Sequence, residues 1–200
     1  MLKAALTGNY GSGKSAVLAI FRRLGAICID SDRIVAGLLE DRAVLGRIRQ
    51  VAGGGVFAQK GGGLSREKLA RLIFSDRRAR GAVEGIIHPL VMEVIEKEFL
   101  KTKAGVVVVE VPLLYEKGFE GVFDKVISVY AGERTALARL QKKGIARKDA
   151  LRRLAAQMPT ARKIEKADYV IDNEGGMELT ERQASRIYKE LTGRWTLFRK

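Results

Sequence analysis

Three features of these 200 residues predict a parallel, three-layer α/β fold. Short apolar runs that read as strands alternate along the chain with stretches of helical periodicity. One run, Val106 to Val111, is β-branched apart from Glu110, the pattern of an inner parallel strand covered on both faces. Near the start, Gly8-Asn9-Tyr10-Gly11-Ser12-Gly13-Lys14-Ser15 matches G-x-x-x-x-G-K-[ST] between an apolar run and a helical one. Such a turn points backbone N–H groups inward, its lysine reaches terminal phosphates, and its hydroxyl holds a magnesium ion. In a chain with 22 glycines the pattern arises by chance on the order of once in a hundred. The flanking elements make chance a poor explanation.

The first element is the run Leu2 to Leu6, a short buried strand. Ala16, Val17, Ile20, Phe21 and Leu24 follow at helical spacing, so a helix N-terminus faces the turn where an anion would sit. Ala26 to Ile29 is a second strand, ending in Asp30-Ser31-Asp32. Carboxylates just past a strand's C-terminal end lie where open α/β sheets bind ligands, so Asp32 is a candidate for chemistry. The same residues also suit helix capping before Ile34, Val35, Leu38 and Leu39, and both readings stand.

A helix over about Arg42 to Val51 gives way to Gly53-Gly54-Gly55 and then Gly61-Gly62-Gly63. These clusters lack a following lysine and hydroxyl and read as turns. Ser65 is an N-cap for a helix to Phe74, and another runs from about Asp76 to Ile87. His88-Pro89 is expected to break that helix, since the residue before proline avoids the helical region and Pro89 suits the first turn of the next. On spacing alone His88 is a hydrogen-bonded boundary residue. The Val106 strand should lie beside the first, with Glu110 near its end, where a nucleotide-binding sheet places an acid that orients magnesium through water. Lys125 to Tyr130 is a further strand. Helical segments interrupted near Lys143-Gly144 and Met158-Pro159 come next, then a last strand, Asp168 to Asp172, and a helix to about Leu191.

Composition narrows the function. One cysteine, Cys28, excludes an internal disulfide, and with one histidine it leaves no Cys and His set for zinc, so a hard ion such as magnesium is the expected metal. There is no charged and apolar leader before Gly8 and no run near the roughly 20 apolar residues of a membrane span, which predicts a soluble, cytoplasmic protein. Thirty-seven basic residues against 23 acidic ones give a formal charge of +14, compatible with nucleic acid, an anionic membrane surface or a ligand with several phosphates. Eleven of the basic residues and only three acidic ones fall between Glu133 and Lys166, but without aromatic interleaving or a recognisable RNA or DNA module, so no nucleic-acid partner is expected. The marks of a guanine switch are missing: N-K-x-D is absent, and the only D-x-x-G, Asp172 to Gly175, follows the last strand. A small-molecule kinase remains, its marks an acceptor-activating carboxylate, an acceptor-binding insert and a basic lid.

Here the motifs become specific. L-T-G-N-Y-G-S-G-K-S, I-D-S-D at Ile29 to Asp32, I-I-H-P at Ile86 to Pro89, V-P-L-L-Y-E at Val111 to Glu116, and Q-M-P at Gln157 followed by A-D-Y-V-I-D-N-E-G from Ala167 resemble the dephospho-CoA kinases. The resemblance spans Leu2 to about Gly175. It implies a phosphate-loop NTPase fold with a five-stranded parallel sheet, ATP and Mg²⁺ as cofactors, and transfer of phosphate to the ribose 3′-hydroxyl of dephospho-CoA. It also implies one kinase domain over 1–200: a core (1–30, 104–131, 167–200), a helical acceptor-binding region (31–103) and a helical lid (132–166). By position, Asp32 would accept the hydroxyl proton or orient the attacking oxygen. Gly8, Asn9, Tyr10, Gly11, Ser12, Gly13, Lys14, Ser15 and Ala16 would hold the ATP phosphates, with Lys14 catalytic, while Ser15 and, through water, Glu110 would serve the magnesium. Arg139 and Arg147 would be lid arginines meeting the transferring group, and Asn173 and Gly175 would approach adenine. His88, Leu113, Leu114, Glu116, Gln157 and Lys163 would form the substrate side, the last two near the lid and nucleotide.

The chain departs from the family pattern in having Asn9-Tyr10 where G-I is typical, Ala16 for threonine and Tyr115 for phenylalanine. Another small-molecule kinase, with a nucleoside or shikimate-like acceptor, is the alternative reading.

Overall fold

Strands β1 (Leu2–Gly8), β2 (Ile27–Asp30), β3 (Val106–Glu110), β4 (Lys125–Tyr130) and β5 (Tyr169–Asp172) form one sheet. The computed structural model describes residues 1–58, 63–103 and 105–193. Every pairing is parallel, in the order β2-β3-β1-β4-β5. The expected neighbour of β1 is therefore present, with Leu6 opposite Glu110 on one side and Gly8 opposite Val129 on the other. Because β1 has β3 on one flank and β4 on the other, the chain leaving its C-terminal end enters the crevice where the strand order reverses.

The helices are α1 (Lys14–Arg23), α2 (Ser31–Leu38), α3 (Arg42–Ala52), α4 (Arg66–Ser75), α5 (Arg77–Lys101), α6 (Glu133–Lys142), α7 (Arg147–Ala155), α8 (Thr160–Lys166) and α9 (Met177–Leu191). Two units result, Met1–Asp30 with Lys101–Lys200, and Ser31–Leu100.

In the first unit, Val17, Leu18, Ile20 and Phe21 of α1 and Ala184, Ile187 and Leu191 of α9 pack on Ala4, Leu6, Val106, Val108, Ile127, Val129 and Ile171 of the sheet. The alternate residues Ala5, Val107 and Val109 are also fully buried, and β3 is buried at all five positions, as an unbroken Val run requires. Fully burying a side chain such as Phe21 contributes about 1.5–3 kcal/mol. Strand ends are pinned by carboxylates: Asp124 Oδ2 accepts from the Lys3 amide at 2.7 Å, and Asp168 accepts from the Val126 amide and the Lys125 ammonium, both at 2.8 Å.

The second unit is helical, and its caps follow the sequence. Asp41 Oδ1 accepts from the Ala43 and Val44 amides before α3, and Ser65 Oγ from the Lys68 amide before α4. Of the glycine turns, Gly54–Val56 is a single 3₁₀ turn, whereas Gly61 and Gly62 lie outside the described residues.

One expectation is corrected. α5 is continuous from Arg77 to Lys101 with Pro89 inside it, so His88-Pro89 does not end a helix. Proline at 89 removes the N–H that would bond the Gly85 carbonyl, and its ring crowds that position. Gly85 has no side chain, is exposed and has open space around it, so water can solvate its carbonyl. Val83, Ile86, Ile87, Val91, Ile95 and Phe99 form a buried stripe that runs through the proline and outweighs its local cost.

Candidate active site

The turn between β1 and α1 is shaped by its glycines. Gly13, the residue before α1, has φ +93°, and a Cβ there would overlap Asn173 Nδ2. Gly8 has φ +147°, and a Cβ there would strike the Val129 carbonyl of β4. Lys14 is buried, its Nζ donating to the Gly8 carbonyl at 3.0 Å and the Asn9 carbonyl at 3.3 Å. The ammonium thus lies across the mouth of its own loop, beside the positive end of α1, a concentration of donors suited to an anion.

The back of the loop is braced from two distant elements. Ser12 O accepts from Asn173 Nδ2 at 2.7 Å and from Arg139 Nη1 at 3.2 Å, and Arg139 Nη2 donates to Asn173 O at 2.7 Å. Asn173 Oδ1 in turn accepts from Thr180 Oγ1 at 2.8 Å. Arg139 and Asn173 are therefore bonded to the loop and to each other, while Gly175 and Arg147 are exposed. Ala16, half-buried, is the third residue of α1, its amide donating to Gly13 O.

The segment 157–159 between α7 and α8 is stitched on both sides. Gln157 Oε1 accepts the Tyr10 amide at 2.7 Å, and Asn9 Nδ2 donates to Met158 O at 3.2 Å. On the other side the Met158 amide donates to Glu116 Oε1 at 2.8 Å. That carboxylate also pairs with Lys163 Nζ at 2.9 Å, which donates to Pro112 O at 3.1 Å. Lys163 is wholly buried. Burial alone would raise the Glu116 carboxyl, but the Lys163 ammonium and the Met158 amide outweigh it and hold it below the usual glutamate value. The neighbouring Tyr115 hydroxyl is pushed up to about 12 by burial, with Glu120 and Asp168 adding to the effect. Leu114 is wholly buried and Leu113 half-buried.

Ser15, exposed at the start of α1, donates from Oγ to Glu110 Oε1 at 3.4 Å. A hydroxyl ligand with a carboxylate beside it to bond a metal-held water, next to a phosphate-shaped turn, fits a magnesium ion. Among the described residues no three or more His, Cys, Asp and Glu side chains converge to hold a metal, so the other ligands of such an ion would be water and phosphate oxygens.

Asp32 and His88 belong to the second unit. Asp32 is exposed in the first turn of α2, two residues past the end of β2, and His88 is half-buried within α5. What sequence reasoning missed is Arg153, whose Nη1 donates to the Tyr10 hydroxyl at 3.2 Å. No spacing rule links residues 143 apart in sequence, although an aromatic inside a glycine-rich turn is itself a signal.

A family model described as dephospho-CoA kinase matches residues 2–178. The dephospho-CoA kinase of Aquifex aeolicus is 36% identical over 194 residues, which span 96% of this chain and 98% of that protein. A crystal structure from Thermus thermophilus superposes with a TM-score of 0.85 at 35% identity, covering 96% of this chain and 98% of that one. Shikimate kinase from Acinetobacter baumannii gives 0.52 at 18% identity, over 97% of this chain and 94% of that one, a likeness of fold alone.

Proposed function

The chain belongs to the dephospho-CoA kinase family, and on that footing we propose how its own residues carry the reaction. The enzyme is an ATP-dependent kinase that phosphorylates the ribose 3′-hydroxyl of dephospho-CoA, giving CoA and ADP. The amides of the glycine-rich turn other than that of Tyr10, which bonds Gln157, hold the ATP phosphates together with Lys14. Ser15, with Glu110 acting through water, holds Mg²⁺, which when bound neutralises phosphate charge. Asp32 accepts the proton of the acceptor hydroxyl, whose oxygen forms a bond to the γ-phosphorus as the bond to the ADP oxygen breaks. The transition state is loose and its charge spreads over three equatorial oxygens, so cations supply most of the help. Arg147 reaches that group from the lid, and Arg139 keeps the loop and the residue-173 turn in register beside it.

The segment 31–103 acts as the acceptor-binding region and 132–166 as the lid. His88, Leu113, Leu114, Glu116 and Lys163 are assigned to the acceptor side, Leu114 and Lys163 as wholly buried supports and not as contacts. Gln157 sets the lid's seat on the loop, and the turn of Asn173 and Gly175 approaches adenine. Among the described residues no helix is long and apolar enough to cross a membrane, and we place the reaction in the cytoplasm.

The observation that supports this reading most is the glycine-rich turn in which Lys14 Nζ bridges the Gly8 and Asn9 carbonyls and the next residue, Ser15, bonds Glu110. Asp32→Asn tests it. Loss of a general base should lower kcat by about 10²-fold or more while ATP affinity stays unchanged. Near-full turnover would remove Asp32 from the mechanism.

A further inference from the structure

We propose that Tyr10 is a positioning residue that fastens the lid to the phosphate loop, dividing that loop into an outer half that carries the lid and an inner half that grips phosphate. The proposal rests on the kinase reading above. Its first support is the direction of the backbone. The Tyr10 amide donates to Gln157 Oε1 at 2.7 Å, so that N–H is turned to the lid and away from any anion in the cradle. The adjacent Asn9 side chain, 8% exposed, donates to Met158 O at 3.2 Å, so two successive loop residues bind two successive lid residues.

The second support is the Tyr10 side chain. Its ring packs against the small cluster that joins α6 to α7, built on Leu137, Leu140 and Ala150. Its hydroxyl accepts from Arg153 Nη1 at 3.2 Å, and the guanidinium carbon lies 5.2 Å from the ring centroid, within cation–π range. One side chain thus joins the apolar seam of the two lid helices to a cation on α7. A displacement of residues 9–10 when phosphate enters is transmitted to α7, which also begins with Arg147. The lid therefore rides on the loop it must cover, which keeps the arginine in step with the group being transferred.

The test is hydrogen exchange across the whole protein together with steady-state kinetics. A charge-assisted hydrogen bond and a cation–π contact together shift a local opening equilibrium by about tenfold. Arg153→Met keeps the apolar stem and should speed exchange of the α7 amides by about that factor while β1, β3 and α1 exchange as in the parent. Tyr10→Ala removes the ring as well. It should lower kcat by about tenfold and raise the KM for ATP, with the KM for dephospho-CoA within about twofold, as loss of a positioning residue requires.

Unchanged α7 exchange in Arg153→Met would overturn the proposal, as would an acceleration spread evenly over the protein. A Tyr10→Ala protein that folds and turns over like the parent would overturn it too. If the parent protein failed to phosphorylate dephospho-CoA, the kinase reading would fall, while selective loosening of α7 would still report the clamp.

Discussion

Lys163→Met puts the buried strut between Pro112, Glu116 and Met158 under direct test. The lysine is wholly buried, its Nζ 2.9 Å from Glu116 Oε1 and 3.1 Å from Pro112 O. Methionine matches its length and leaves both acceptors without their cation. Removing one partner of a buried ion pair costs about 3–5 kcal/mol. The Glu116 side chain keeps 16% exposure, so water offsets part of the loss and the lower figure, about 3 kcal/mol, applies. For a chain of this size, at about 2–4 °C per kcal/mol, the Tm should fall by about 6–12 °C in thermal unfolding followed by circular dichroism at pH 7.

The pH dependence gives a second reading. In the parent the Glu116 carboxyl sits below its ordinary value of 4.5, so its contribution is complete above that value and is lost as pH falls through the depressed one. In the variant the ammonium is gone and burial prevails, which lifts the carboxyl. The penalty for ionising it is then full above the lifted value and vanishes below the ordinary one. The Tm gap should therefore shrink between pH 7 and pH 4. A loss below about 2 °C at pH 7, or a gap that widens in acid, would refute the strut.

Pro89→Ala distinguishes a continuous α5 from a helix that starts afresh at Pro89. Restoring the N–H to Gly85 should stabilise the protein by about 1–3 kcal/mol in urea unfolding, whereas a proline in a first turn would make the change neutral or destabilising. Gly13→Ala forces a Cβ into a left-handed position and onto Asn173 Nδ2, so it should cost about 2–4 kcal/mol and weaken ATP binding by calorimetry. Native-like stability and affinity would contradict that geometry. Burial, only partly offset by Arg22, pushes the Cys28 thiol up to about 11, so at pH 8 about one in a thousand is thiolate. Alkylation by iodoacetamide should be at least about 100-fold slower than for an exposed thiol, and should recover on unfolding in urea.

Local rules sufficed where an element's identity is a local property. The Val106 run, the Lys125–Tyr130 strand and the Ser65 cap carry their own signatures, as does the turn whose conformation only glycine tolerates at 13. The continuity of α5 was hidden because the proline's local preference is visible in sequence, while the buried stripe that overrides it is a property of the packed unit. The same holds for the site. The octet announces itself, but the carbonyl of Ser12 is held by Arg139 and Asn173, residues 127 and 161 positions away. Lys163 stands in a cluster of surface cations in the sequence, yet its side chain is fully enclosed because β3's exit loop supplies a carboxylate and a carbonyl to receive it. Charge alone cannot distinguish such a lysine from its solvated neighbours.

The reaction itself is tested by incubating the purified protein with Mg-ATP and dephospho-CoA, adenosine or shikimate in parallel and identifying the products by mass spectrometry. CoA and ADP should form in equal amounts, with the new phosphate on the ribose 3′-oxygen, and the other two acceptors should give little. Phosphorylation of shikimate or adenosine in place of dephospho-CoA, or no transfer to any of the three, would contradict it.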